Sequence, residues 1–264
     1  MGRASGAAAA DPAPACVTAS CCVPTPEQTR THAGKPSGPL APPRRRVPLL
    51  DQPPPPPPLP PASEFVRTVD NPWFPLPPGT VLTYRGHDEG TPARDVFRVT
   101  PRTKLIEGIR ATVVDDRVYK RGRLAERTKD YYAQDRDGNV WYLGEDTATI
   151  KPNGQVGSRE GTFRAGSDGA RAGIFMPAHP RPGSAGWQEY YVGHAQDRFK
   201  VLDLHTSVRT PAVSSRRAML VRETTPLEPG VVDHKVYVRS IGTVVEKTVK
   251  GGSESFRLVR VRRA

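Results

Sequence analysis

Tyr131-Tyr132-Ala133-Gln134-Asp135-Arg136-Asp137-Gly138-Asn139-Val140-Trp141-Tyr142 is the stretch on which the reading of this chain turns. Two aromatic-rich runs flank Asp137-Gly138, and glycine reaches the positive φ that a tight chain reversal needs. The stretch therefore predicts an antiparallel hairpin. Side chains alternate between the faces of a strand, so Tyr131 and Tyr132 place one ring on each side. A sheet built that way must be covered on both faces or bind something on one of them.

The same rhythm extends in both directions. Lys120-Arg121-Gly122-Arg123, Lys151-Pro152-Asn153-Gly154 and Gly251-Gly252 are further turn signals. Between them, alternating apolar and polar runs predict strands over 80–87, 94–100, 111–119, 125–134, 140–144, 160–163, 187–192, 199–205, 219–224, 231–238, 243–249 and 255–261. No 3.6-residue period persists for three turns. The expected fold is all-β: an antiparallel meander curved into a half-barrel or barrel, which leaves few exposed edges. Along 231–238, Val232, His234, Val236 and Val238 share one face, and Asp233, Lys235 and Tyr237 share the other.

Two segments resist this pattern. Residues 166–186 carry five glycines and three prolines around Ile174-Phe175-Met176. That predicts a lid or plug over an open end of the sheet. In 71–79 the prolines forbid regular pairing while Trp73 and Phe74 demand burial, which predicts a second cover.

Composition divides the chain. Of its 264 residues, 30 are proline, and 17 of those lie in 1–61. Residues 1–63 read as a disordered Ala/Pro-rich leader ending in the run 53–61, which is expected to be a polyproline II spacer. Residues 64–264 read as a single β domain, to whose stability 1–62 are expected to add nothing. The spacer suits a stalk better than a ligand for a proline-recognition domain.

The net charge of +12 combines 39 basic with 27 acidic residues. Basic and acidic residues are interspersed in the domain, which points to a solvated surface, so no specific nucleic-acid partner is expected. No run of 18 apolar residues exists, so no transmembrane helix is expected. Residues 1–10 lack the apolar core of a secretory signal. Thr18-Ala19-Ser20-Cys21 only weakly matches the small residues before a lipidated cysteine. Cys16, Cys21 and Cys22 all fall in the leader and are expected to be free thiols or accidental pairs rather than a disulfide framework.

Asn71-Pro72-Trp73-Phe74-Pro75-Leu76-Pro77-Pro78-Gly79-Thr80, the Tyr131 to Tyr142 stretch, and Pro226-Leu227-Glu228-Pro229-Gly230-Val231-Val232-Asp233-His234-Lys235 together resemble a group of uncharacterised, mostly exported bacterial β-domain proteins. The resemblance spans roughly 65–258. It implies an extracytoplasmic location and brings no activity or catalytic residue with it. Without export, the chain would be cytoplasmic.

No nucleophile elbow, metalloprotease helix, Walker loop or dinucleotide fingerprint occurs, so no catalytic residue, cofactor or metal site is expected. Asp135-Arg136-Asp137-Gly138-Asn139 has calcium-like oxygen spacing, but its glycine falls at position 4, and a plain turn is the expectation. The aromatics carry the remaining signal. Trp73, Phe74, Tyr131, Trp141, Phe175, Met176, Trp187 and Tyr191 are the candidates to line a concave pocket for an apolar small molecule or lipid. Two alternatives stand beside that reading. One is a hydrolase using carboxylates such as Glu228 or Asp233 near the 166–186 lid. The other is a purely structural or interaction module.

Overall fold

The computed structural model describes residues 54–263. The leader up to residue 53, with Cys16, Cys21 and Cys22, lies outside the described residues. Among the described residues a 3-10 turn, Ala62–Glu64, precedes fourteen strands. These are β1 (Val81–Asp88), β2 (Thr91–Ile106), β3 (Ile109–Lys120), β4 (Arg123–Gln134), β5 (Val140–Thr149), β6 (Phe163–Arg164) and β7 (Arg171–Met176). Then come β8 (Ala185–Trp187), β9 (Glu189–Tyr190), β10 (Arg198–Arg209), β11 (Ser214–Thr224), β12 (Val232–Val238), β13 (Gly242–Lys250) and β14 (Ser255–Arg262).

The expected all-β antiparallel architecture is what forms. The sheet order is β8-β10-β11-β12-β13-β14-β1-β2-β3-β4-β5-β7-β9, with β6 added on β5. Its two ends, β8 and β9, are separated in sequence only by Gln188. Residues 185–190 therefore hand the sheet from β10 on one side to β7 on the other, which closes it into a near-complete barrel. Closure satisfies backbone groups that an open edge would leave unpaired.

The largest departure from the pattern reading lies in 166–186. Its middle is not a lid but β7, a wall strand paired with β5 and β9. Gly173 makes this possible, because a Cβ there would sit 2.3 Å from the carbonyl oxygen of Trp187. Its glycines read as loop in sequence, yet here they permit close strand approach.

The 71–79 segment does act as a cover. It caps the barrel end where the β4–β5 turn lies. Asn71 Nδ2 donates to the carbonyls of Gly138 (2.9 Å) and Pro177 (3.1 Å), and Gln134 Oε1 accepts from the backbone N–H groups of Asp70 and Asn71. Phe74 thereby drops into the barrel. Its ring centroid lies 5.0 Å from Tyr132 and 4.5 Å from Phe175.

Both faces of β4 are buried, as the adjacent tyrosines require. Tyr132 faces inward, stacked on Tyr142 at 4.7 Å. Tyr131 faces outward into a second apolar layer with Trp141, Leu143, Ile106 and Ile109, against which Leu59 and Phe65 pack. Pro56 is buried as well, and its carbonyl accepts from Arg171 Nη2 at 2.5 Å. Residues 56 and 59 thus add burial to the domain that leader composition did not disclose. Proline lacks a donor, but its ring and carbonyl remain available to a wall.

The central turn has the conformation its glycine implied: Gly138 sits at φ +92°. Asp135 secures it, accepting from Asn139 N (2.8 Å), Asn139 Nδ2 (3.0 Å) and Trp141 Nε1 (2.8 Å). The carboxylate that resembled a calcium ligand is a turn clamp. Gly138→Val forces a β-branched residue into the left-handed region and brings a Cβ to 3.3 Å from the Ala178 Cβ. A loss of about 1–3 kcal/mol in chemical denaturation is expected; melting identical to the parent would contradict this.

Candidate functional site

Strand alternation carries an unusual set of side chains inward. On β4 the inward face is Glu126, Thr128, Asp130, Tyr132 and Gln134, all buried, whereas Arg127 and Lys129 on the other face are exposed. The neighbouring strands continue the layer: Asp95 on β2, Asp116 on β3, Glu145 on β5, Glu189 on β9, Glu223 on β11 and Glu246 on β13. Asp197 and Glu254 join it from the loops before β10 and β14. Lys235, on β12, is the cation within this layer. Its ammonium lies 2.8 Å from Glu223 Oε2 and 3.2 Å from Glu246 Oε1.

Burial is the main cause of the shifted acidities here. It pushes Glu126 up to about 8, aided by Asp116 and Asp88. Asp130 is likewise pushed up to about 8 by burial and by Asp116. Glu246 also reaches about 8, burial outweighing the pull of Lys235. Burial lowers Lys235, but Glu223 and Glu246 more than compensate and hold its ammonium charged. Asp95, raised by burial and by Asp116, shares a hydrogen bond with Asp116, so the two carboxyls hold a proton between them. Tyr142 shows the same economy. Its hydroxyl lies 2.6 Å from Asp130 Oδ1 and 3.0 Å from Glu145 Oε2. Its single hydrogen is placed to be shared between two buried carboxyls.

The barrel interior is nearly full. Between the aromatic plug and the acid layer, a cavity of about 40 Å³ is lined by Phe74, Tyr84, Asp95, Asp116, Asp130, Tyr132, Phe175, Lys235 and Glu246, among others. That is room for a few waters and no more. The opposite end of the barrel, at the β3–β4 turn, is open. A cleft of about 640 Å³ lies there, walled by Val118, Leu124, Ala125, Ile150 and Pro152. Its polar groups are Asp88, Lys120, Arg121, Arg123, Glu126 and Thr149. Asp88 Oδ2 accepts from the Lys120 ammonium at 2.8 Å. Arg121 stands at φ +49° before Gly122, in the turn that forms one lip of the cleft.

The aromatic candidates do not gather in one open pocket. Trp73, Phe74, Phe175 and Met176 come together inside the plugged end, in the main apolar core. Tyr131 and Trp141 lie in the outer layer. Trp187 sits at the seam, edge-on to Tyr190 at 5.0 Å with the Arg198 guanidinium 5.3 Å from its ring centroid. Tyr191, half-buried, stacks on His194 at 4.4 Å. Asp233 accepts from Thr248 Oγ1 at 2.6 Å, and Glu228 lies half-buried on the β11–β12 connection. Among the described residues no group of three His, Cys, Asp or Glu side chains could hold a metal ion, and no helix is long and apolar enough to cross a membrane.

These positions give a direct expectation for Phe175 and Met176. The double change to Ser removes two buried core side chains, of which Phe175 packs on Phe74, Tyr132 and Tyr142, and should cost about 3 kcal/mol or more in denaturant unfolding. Unchanged stability would mean that the two face a ligand space instead.

The sequence places Lys120 in a turn signal but does not bring Asp88 and Glu126 to it. A usable signal existed in β4. Of its two faces, the one bearing Arg127 and Lys129 is the one that belongs in water, since a guanidinium cannot lose its charge whereas a buried carboxyl can take up a proton. Glu126 and Asp130 therefore had to face inward.

Fold and site together define an antiparallel β-barrel plugged at one end by aromatics, layered with carboxyls inside, and open at the other end through a charged cleft. No protein-family model matches the chain, and no curated protein matches it. Among solved structures it is similar to a predicted exported protein with a YmcC-like fold from Bacteroides fragilis, at 15% identity and a TM-score of 0.43, covering 72% of this chain and 99% of that one. It is also similar to a predicted lipoprotein from Parabacteroides distasonis, at 10% identity and a TM-score of 0.38, covering 72% of this chain and 98% of that one.

Proposed function

We propose that this is a non-enzymatic binding protein of the cell envelope that holds a small amphipathic molecule in the open end of its barrel. The observation that carries the reading is the contrast in free volume: about 40 Å³ within the barrel against about 640 Å³ in the cleft. Ligand sites commonly occupy about 300–1,000 Å³, with apolar walls and a few oriented polar groups. Val118, Leu124 and Ile150 supply such walls, and the Asp88–Lys120 pair, Glu126 and Thr149 supply the polar groups. The ligand space thus moves from the aromatic concave face to the opposite end. The envelope location rests on the sequence resemblance and on the proline-rich leader, which suits a stalk.

Fluorescence titration with the neutral apolar probe N-phenyl-1-naphthylamine tests the reading. Saturable binding by the parent is expected, weakened at least tenfold in Leu124→Glu/Ile150→Glu with circular dichroism unchanged. Absence of binding by the parent, or equal binding by a folded cleft variant, would overturn it.

A further inference from the structure

The ionisable groups of the cleft say more than its walls do. Five of them line it: Asp88, Lys120, Arg121, Arg123 and Glu126. Three are cations and two are carboxyls, so the lining is net positive even with every group charged. The first of two observations locates that excess and the second raises it. Asp88 and Lys120 neutralise each other at 2.8 Å, which leaves Arg121 and Arg123 opposed only by Glu126. Glu126 is buried beneath the cleft, and burial together with Asp116 and Asp88 keeps its carboxyl protonated through neutral pH.

The arginines are also placed where a headgroup would lie. Arg121 and Arg123 are both exposed and flank Gly122 at the lip, while Val118 and Ala125 lie further in. The Arg121 backbone N–H donates to the Pro92 carbonyl at 3.0 Å, which ties this turn to β2 and fixes the lip. Guanidinium groups match carboxylate and phosphate oxygens in fork geometry, so an anionic head gains both charge and directed hydrogen bonds there.

We propose that the molecule held in the cleft is a single-chain anionic amphiphile, its carboxylate or phosphate head met by Arg121 and Arg123 at the lip and its alkyl chain laid against Val118, Leu124 and Ile150. This inference rests on the binding reading above and adds the sign of the ligand's charge. A cationic amphiphile would place an ammonium beside two guanidinium groups. A neutral one would leave the arginines without a role in binding.

Competition against N-phenyl-1-naphthylamine tests it, using monomeric dodecanoate, dodecyl phosphate, dodecylammonium and inorganic phosphate on the full chain. The two anionic amphiphiles should displace the probe at least tenfold more effectively than dodecylammonium. In Arg121→Gln/Arg123→Gln that preference should vanish while affinity for the neutral probe stays within twofold. Raising salt from 50 to 500 mM should weaken the anions and leave the probe unchanged. If the probe binds but dodecanoate and dodecylammonium compete equally, the charge assignment falls and the binding reading stands. Competition by inorganic phosphate as strong as by dodecyl phosphate would mean a plain anion site and overturn the amphiphile. If the probe does not bind at all, both readings fall. A preference for dodecanoate over dodecyl phosphate, or the reverse, distinguishes a fatty-acid-like head from a phosphate ester and supports the inference either way.

Discussion

Lys235→Met is expected to destabilise the barrel by about 3–5 kcal/mol at neutral pH, the usual result of removing one partner from a buried ion pair. The ammonium lies between Glu223 and Glu246, and its own side chain is 6% exposed. Methionine keeps the stem and the packing but leaves Glu223 in a carboxyl-rich interior with no cation. The change in thermal midpoint should be about 6 °C or more, at about 2–4 °C per kcal/mol for a domain of this size. The triple variant Lys235→Met/Glu223→Gln/Glu246→Gln should recover a large part of the loss, because the cost comes from uncompensated charge rather than from lost volume. A single variant within about 1 kcal/mol of the parent would show that the interior does not depend on this cation.

A second large effect is the dependence of stability on pH. Glu126, Asp130 and Glu246 are pushed up to about 8 in the folded barrel, from ordinary values near 4. Between those limits the folded state holds protons that the unfolded chain has already released. Stability therefore decreases as pH rises through that window, since its slope follows the protons bound by the unfolded state minus those bound by the native one. The full contribution is present below about pH 4 and is lost as pH passes about 8. Lys235 does not offset this, because its charge persists across the range. Thermal unfolding should accordingly show a midpoint that falls by about 5–10 °C between pH 5 and pH 8.5. A midpoint that rises or stays level from pH 5 to 8 would mean that these carboxyls are ionised in the native barrel. In Glu126→Gln/Asp130→Asn the fall should be shallower, because two of the protons retained by the native state no longer titrate.

Both effects arise from a layer whose position strand alternation alone does not determine. Alternation along β12 separated Asp233, Lys235 and Tyr237 from Val232, His234, Val236 and Val238, but alternation does not say which face is inside. The ordinary expectation sends charges outward, and here it fails. Lys235 and Tyr237 face the interior, while Val236 and Val238 pack with Ala218, Leu220 and Val208. Burial of a lysine depends on Glu223 and Glu246, which are 12 and 11 residues away in sequence and reach it only by cross-strand pairing.

Local chemistry alone settled the element type, the turns and the class of fold. The Asp137-Gly138 reversal, the double aromatic pairs and the absence of a helical period depend on neighbours in the chain, and the barrel follows them. Tyr131 and Tyr132 required two covered faces, and two covered faces are present. What only the tertiary structure decided is the function of the ends and the content of the middle. The role of 166–186 as a wall strand depends on Gly173 meeting Trp187. Closure depends on residues 185–190 serving two neighbours at once. The open cleft depends on bringing Asp88, Lys120, Glu126 and Ile150 from four strand ends to one rim. Each of these is a contact between residues far apart in the chain, whose free energy depends on distance and burial in the folded barrel, quantities that no local pattern of residues encodes.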